Sequence, residues 1–204
     1  MRVVVPFDAT DPKSRLDAVL DADERREFAA VLLADVLDAL RGTGVDPAVL
    51  ATAPLDVDAP VTVDDRPLTD AVNAVLADAD EPVAVVMADL ALATPGSCRR
   101  LLGAPGDVAL APGRGGGTNA LLARHPDFRV DYHGRSYVDH LRAARRVGAS
   151  VFEVDSHRLA TDVDERADLG EVLLHGEGDA PDWLRERGFR PTADGGRGGV
   201  RRRN

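Results

Sequence analysis

A chain of 204 residues has room for one α/β domain, and its 44% hydrophobic content with only 4% aromatics implies a core of valine, leucine and alanine. The 35 acidic side chains outweigh 25 basic ones for a net charge of −10, a field that repels nucleic-acid backbones and argues against DNA or RNA as a partner. No apolar run approaches the roughly 20 residues of a membrane span, no signal peptide opens the chain, and the lone Cys98 excludes an internal disulfide or a cysteine-built zinc site, so a cytoplasmic protein without a membrane partner is expected.

Lys13 is the only lysine in an arginine-dominated chain, and aspartate far outnumbers glutamate. That bias points to a salt-loading, halophilic cell, where self-repulsion of an acidic surface is screened within roughly 3 Å at molar salt. Local arginines can still attract a small phosphorylated ligand.

Taken in order, Arg2 to Phe7 reads as a β-branched strand, followed by the polar loop DATDPKSRL. Asp23 to Leu40 has helical period, with Phe28, Val31, Leu32, Asp35, Val36 and Ala39 near one face. Strands are predicted over 48–53 and 61–63, then a helix over 67–79 with Ala71, Val72, Val75 and Leu76 as its stripe. Val83 to Met87 is an uninterrupted apolar run, the pattern of a strand buried on both faces, and it stops at Asp89. Thr94 followed by Pro95 is a helix start, and the helix is predicted to end near Leu102. Val108 to Ala111 predicts a strand, Thr118–Asn119 a helix start, 128–132 a strand, and 136–147 a helix with Arg142, Arg145 and Arg146 facing solvent. Strands over 150–154 and 159–161 and helices over 165–174 and 181–187 complete the pattern. Such alternation predicts a three-layer α/β fold on a mostly parallel sheet, one domain over 1–190. Residues 191–204 read as a glycine-rich basic tail with nothing to bury, hence disordered.

Four stretches carry possible chemistry. The loop after the first strand of an α/β sheet collects phosphate, and here it holds Lys13 and Arg15 without the glycines of a Walker or dinucleotide loop. Asp89 stands beyond the carboxyl end of a strand, where ligands of open sheets gather, and can hold a metal or cap a helix. In GRGGGTNALL the glycines permit close backbone approach, Arg114 adds a cation, and Thr118 and Asn119 add polar groups. Asp162 and Asp164 alternate around Val163, so in extended chain they point to one side; they suit a hard cation such as magnesium, or a helix cap. Cys98 in a helix offers no nucleophile, and His125, His133, His140, His157 and His175 show no metal-ligand spacing and read as surface residues, His133 excepted.

PFDATDPKSRL, VVMADLAL, GRGGGTNALL, YHGRSYVDH and DVDERADL, in that order over residues 1 to 175, resemble the archaeal 2-phospho-L-lactate guanylyltransferases. The resemblance implies a Rossmann-like nucleotidyltransferase fold of glycosyltransferase-A type. It implies transfer of GMP from GTP to 2-phospho-L-lactate, giving lactyl-2-diphospho-5′-guanosine and pyrophosphate in coenzyme F-420 synthesis. The acceptor can equally be phosphoenolpyruvate or another phosphorylated compound of molybdopterin or sugar-phosphate type; a non-catalytic nucleotide-binding subunit is the alternative from another class. Carried over, Asp89 and Asp164 match the family's magnesium positions with Asp162 as neighbour, and magnesium would bridge the two substrates. Pro6, Lys13, Arg15, Arg114 and Gly116 are expected on the nucleotide, with Lys13, Arg15 and Asp89 catalytic. Thr118, Asn119, Gly134 and Ser136 are expected around the phosphorylated acid. A homodimer is also implied. Ala88 and Ala91 stand where the group has glycine and proline, and YHGRSY is one residue short, so either His133 or Gly134 is expected at the acceptor.

Overall fold

Val3, Val5 and Phe7 alternate with Val4 along the first strand, and both sets are buried, so each sheet face needs a covering layer. The computed structural model, which describes residues 1–192 and 199–202, supplies both. The strands are β1 (Arg2–Phe7), β2 (Ala48–Ala51), β3 (Val61–Val63), β4 (Val83–Val86), β5 (Val108–Pro112), β6 (Thr118–Ala123) and β7 (Val151–Glu153), in the order β3-β2-β1-β4-β6-β5-β7. All are mutually parallel except β6, which runs antiparallel to β4 and β5. Helices α1 (Ala22–Arg41) and α3 (Pro95–Leu102) cover one face. The other is covered by α2 (Leu68–Asp78) and α4 (Ser136–Arg146).

The chain leaves β1 toward β2 and returns to β4 on the opposite side, which makes the β1–β4 junction the topological switch point. The β1–β4 ladder ends at Val4↔Val85, two residues before Pro6, which has no N–H to offer. Beyond that register the two strand ends part, and a cleft opens between them.

Three predicted elements fold otherwise. Thr118–Asn119 begins β6, not a helix, because the five-residue glycine-rich loop after Pro112 closes a hairpin, with the Gly113 and Gly116 N–H groups donating to the Gly117 and Gly113 carbonyls. The 128–132 segment buries Phe128 and Val130 in the alternation of a strand but pairs with α2 side chains. Asn73 brackets the Val130 backbone at 2.8 and 3.0 Å, and Thr69 Oγ1 accepts from the Tyr132 N–H. In place of a strand at 159–161 stands the short helix α5 (His157–Ala160), capped by Ser156.

Behind α1 lies a further core. Leu16, Leu20, Phe28 and Leu32 pack against α6 (Asp168–His175), α7 (Ala180–Glu186) and a hairpin of β8 (Phe189–Thr192) with β9 (Gly199–Arg202). Residues 191–192 and 199–202 of the expected disordered tail thus form strands: Val200 is buried there and Arg202 pairs with Glu24 of the α1 capping box. Residues 193–198 and 203–204, the rest of the expected tail, lie outside the described residues.

Asp35, the acid on the apolar face of α1, receives the Asp179 N–H at 2.7 Å and the Ala180 N–H at 2.9 Å, so one helix caps the next. Burial raises its carboxyl above the ordinary range against those amides. Asp35→Ala leaves the exposed Asp179 amide to water and the part-buried Ala180 amide without a side-chain partner, and about 1 kcal/mol of stability is expected to be lost in urea unfolding.

Candidate active site

The cleft at the switch point has a volume of about 710 Å³, and Pro6, Lys13, Arg15, Met87, Asp89 and Asp164 are on its walls. Its first loop is tied down locally. Asp8 Oδ1 accepts from the Thr10 N–H at 2.9 Å and from the Thr52 hydroxyl at 3.2 Å. Burial opposes ionisation of this carboxyl, but the Thr10 and Thr52 hydrogen bonds prevail and hold it below the usual range.

Lys13 lies at φ 57°, ψ 37°, the one non-glycine residue with positive φ among the described residues. This left-handed backbone costs about 1–2 kcal/mol and turns the side chain inward. The ammonium reaches Asp89 Oδ2 at 2.6 Å and Asp164 Oδ1 at 3.3 Å, while Arg15 Nη1 meets Asp164 Oδ2 at 3.2 Å. Only 11% of the Lys13 side chain is exposed, against 70% for Arg15. Burial works to discharge the ammonium; the Asp89 and then the Asp164 carboxylates outweigh it and raise the Lys13 pKa above its ordinary value. Lys13 is a buried cation, whereas Arg15 is an exposed one. Asp89 Oδ1 is buried without a hydrogen-bond partner.

Residues distant in sequence meet here because the segment joining α5 to α6 crosses the end of β4. The Val163 N–H donates to the Asp89 carbonyl at 3.2 Å, and Val163 itself is buried. Asp168 Oδ2 then takes the Asp164 and Glu165 N–H groups at 3.0 and 2.7 Å and so ties this loop to the first residue of α6, whose N-cap, Ala167, has no side-chain cap; neither Asp162 nor Asp164 caps it. Asp162 accepts from Asn119 Nδ2 at 3.2 Å; burial first, then the charge of Asp89, raises its pKa. Asn119 also donates to the Leu159 carbonyl at 3.0 Å. A Cβ at Gly113 would collide with the Asn119 amide, which accounts for that glycine by close approach.

Being antiparallel, β6 starts where its neighbours end, so Thr118 and Asn119 still lie at the carboxyl edge of the sheet. Thr118 is buried, with its N–H donating to Ser136 Oγ at 2.9 Å and its hydroxyl meeting His140 Nδ1 at 2.9 Å, and none of Thr118, Asn119, Gly134 and Ser136 is among the residues that line the cleft. Gly134, at φ 59°, and His133 are exposed, and His133 pairs with Asp131 at 2.7 Å. Arg114 turns to Asp168 at 2.7 Å, and neither it nor Gly116 lines the cleft. Cys98 is buried in α3 with its thiol pushed up to about 11 by burial, so it supplies no thiolate nucleophile.

Two histidine expectations are corrected. His140 is fully buried, at a position of α4 where the small Ala143 and Ala144 leave room for the ring; its helical spacing to them was the available signal. His157 and His175 converge on Glu171, a grouping that only the packing of α5 on α6 creates. Burial drives the His140 pKa down to about 4, against the pull of Asp131 and Asp139. A lowered histidine pKa gives stability that is complete above the unfolded value near 6.5 and lost as pH falls through the folded one. Wild type is therefore expected to lose about 3 kcal/mol between pH 6.5 and 4 through this ring alone. In denaturant unfolding at fixed salt, His140→Gln should show a correspondingly shallower pH slope.

The solved structures with this architecture include a putative nucleotide-diphospho-sugar transferase from Desulfovibrio desulfuricans, with a TM-score of 0.70 at 18% identity over 91% of this chain and 94% of that one. A nucleotidyl transferase from Methanothermobacter gives a TM-score of 0.59 at 15% identity over 91% and 99%. The sheet is thus that of the nucleotidyltransferase fold. Among relatives, the 2-phospho-L-lactate guanylyltransferase of Halomicrobium mukohataei is 69% identical over 99% of this chain and 100% of its own length. That of Haloferax volcanii is 62% identical over 97% and 96%. Halophilic relatives accord with the acidic, lysine-poor composition. The family described as Guanylyl transferase CofC like matches residues 1–202, and the chain belongs to it.

Proposed function

We propose that the chain transfers the guanylyl group of GTP to 2-phospho-L-lactate, releasing pyrophosphate and forming lactyl-2-diphospho-5′-guanosine for coenzyme F-420 synthesis. The observation that carries this reading is the Lys13–Asp89–Asp164 cluster, a buried cation held between two carboxylates at the switch-point cleft. The acceptor's phosphate oxygen attacks the α-phosphorus in line, the bond to the bridging oxygen of the β-phosphate breaks, and pyrophosphate leaves. Lys13 and Arg15 bind phosphate oxygens and offset the charge that develops on them; positioning and electrostatics suffice, without a protein nucleophile.

The carboxylates fit magnesium. Asp89 Oδ1 is a buried oxygen with no hydrogen-bond donor, and its neighbour Asp164 is paired only with cations on its side chain. Asp89 and Asp164 would hold the ion, with Asp162 beside them, and when bound it neutralises charge on phosphate oxygens. The test is pyrophosphate release from GTP and 2-phospho-L-lactate with magnesium at high salt, with phosphoenolpyruvate as rival acceptor and ATP and CTP as rival donors. Release with GTP and phospholactate is expected to exceed every other pairing; no release from any pair removes the enzyme reading.

A further inference from the structure

The side chains of His157, on α5, and of Glu171 and His175, one turn apart on α6, bring one ligand atom each within 4.8 Å of the other two. Both imidazole Nε2 atoms face the same oxygen: Glu171 Oε2 is 3.7 Å from His157 and 3.8 Å from His175. The rings stand nearly perpendicular, at 86°, with centroids 5.8 Å apart. The other Glu171 oxygen lies 4.0 Å from Arg114 Nη1, beyond hydrogen-bond distance, so it is not held by that guanidinium. Tetrahedral ligands about 2.0–2.1 Å from a zinc-class ion stand roughly 3.3 Å apart, so closing on one requires each imidazole to approach the carboxylate by about 0.4–0.5 Å and the two imidazoles to approach each other by up to about 1.5 Å. The histidine side chains are 57% and 53% exposed, free to make that movement and open to coordinating water.

We propose that His157, Glu171 and His175 form a second metal site, for a transition-metal dication of the zinc class. Two imidazoles and one carboxylate select such ions over magnesium or calcium, which prefer all-oxygen ligands. The site's place in the chain gives it a consequence. Residues 161–167 join α5 to α6 and carry Asp162 and Asp164, so an ion bridging the two helices clamps both ends of the segment that builds one wall of the cleft. Within that segment Thr161 donates to the His157 carbonyl at 3.0 Å, and Asp168, paired with Arg114, holds the Asp164 amide. The ion is structural and stands outside the cleft, so the proposal does not depend on the guanylyl-transfer reading.

The experiment uses the full chain at high salt, stripped of metal, with cobalt(II) as optical probe and zinc as competitor. One equivalent of cobalt is expected to give visible absorption of a low-coordinate site, displaced by equimolar zinc and unaffected by millimolar magnesium. His157→Gln and His175→Gln are each expected to weaken binding at least tenfold, while Asp89→Asn retains it. Zinc should raise the unfolding temperature of wild type by several degrees and leave both histidine variants unmoved. The substituted side chains are exposed, so both variants are expected to fold, and circular dichroism checks that. Binding that survives both substitutions, is lost in Asp89→Asn, or yields to magnesium would overturn the proposal.

Discussion

Asp89→Asn is expected to cut pyrophosphate release by a factor on the order of 10³, with the unfolding temperature only a few degrees below wild type. Asparagine has the same shape, so the packing of the buried Leu90 and Leu92 and the Asp89 carbonyl's bond to Val163 are retained. What disappears is charge. The Lys13 ammonium loses the nearer of its two carboxylates, the one at 2.6 Å, and the proposed magnesium loses a hard anionic ligand. Metal-borne neutralisation of phosphoryl oxygens contributes several kcal/mol, and each 1.36 kcal/mol is about a factor of ten in rate. The pair is partly buried, so its loss costs stability too, about 1–2 kcal/mol. Measuring turnover at saturating magnesium beside thermal unfolding separates the two effects. Wild-type turnover in the variant would remove Asp89 from the proposed metal site.

Legibility followed locality. The four-residue run of β4 and the Thr94–Pro95 start of α3 are written in adjacent residues, and both elements form where predicted. Lys13, Arg15 and Asp89 are legible as neighbours because each lies in a loop beyond a strand at the sheet's carboxyl edge, where any fold of this class brings its loops together; Asp164 joins them from the loop between two helices. The 128–132 segment failed because its partners, Asn73 and Thr69, are side chains on a helix some sixty residues earlier, and no local pattern announces them. β6 failed for a different reason. Its signal, two apolar runs around a short glycine loop, is present, but glycines followed by Thr-Asn fit a helix start equally well. The capping role of Asp35 and the convergence of His157 with His175 depend on helix-on-helix packing, which composition and periodicity do not encode.

The tail marks the same boundary from the other side. A run rich in glycine and arginine predicts disorder when only its own burial is considered. Here Val200 needs just one gap to fill, and α6, α7 and Phe28 provide it. Arg202 then adds a charged contact to Glu24 at the start of α1 and holds the Glu24 carboxyl below its usual range by hydrogen bonding. A weakly hydrophobic strand can therefore be ordered by surfaces assembled from the rest of the chain.

Lys13→Arg, a substitution that preserves charge, is expected to lower kcat/KM for GTP at least tenfold, and Lys13→Met by roughly 10²–10³. The ammonium is a point charge with its tip between two carboxylate oxygens at 2.6 and 3.3 Å, in a position with 11% of the side chain exposed. A guanidinium is planar and broader, and it would have to displace Asp89 or Asp164 to keep both contacts. Every other strongly basic side chain of this chain is arginine, so the one lysine stands at the position where this geometry disfavours a guanidinium. The methionine variant keeps the apolar stem but leaves Asp89 without its cation, so it should also lose stability, about 1–3 kcal/mol. Its left-handed backbone strain remains, because methionine pays the same penalty at φ 57°. Steady-state kinetics with GTP varied, paired with urea unfolding of both variants, reads the two consequences apart. Equal activity in Lys13→Arg and wild type would mean that charge alone matters and that the site tolerates any cation at its centre.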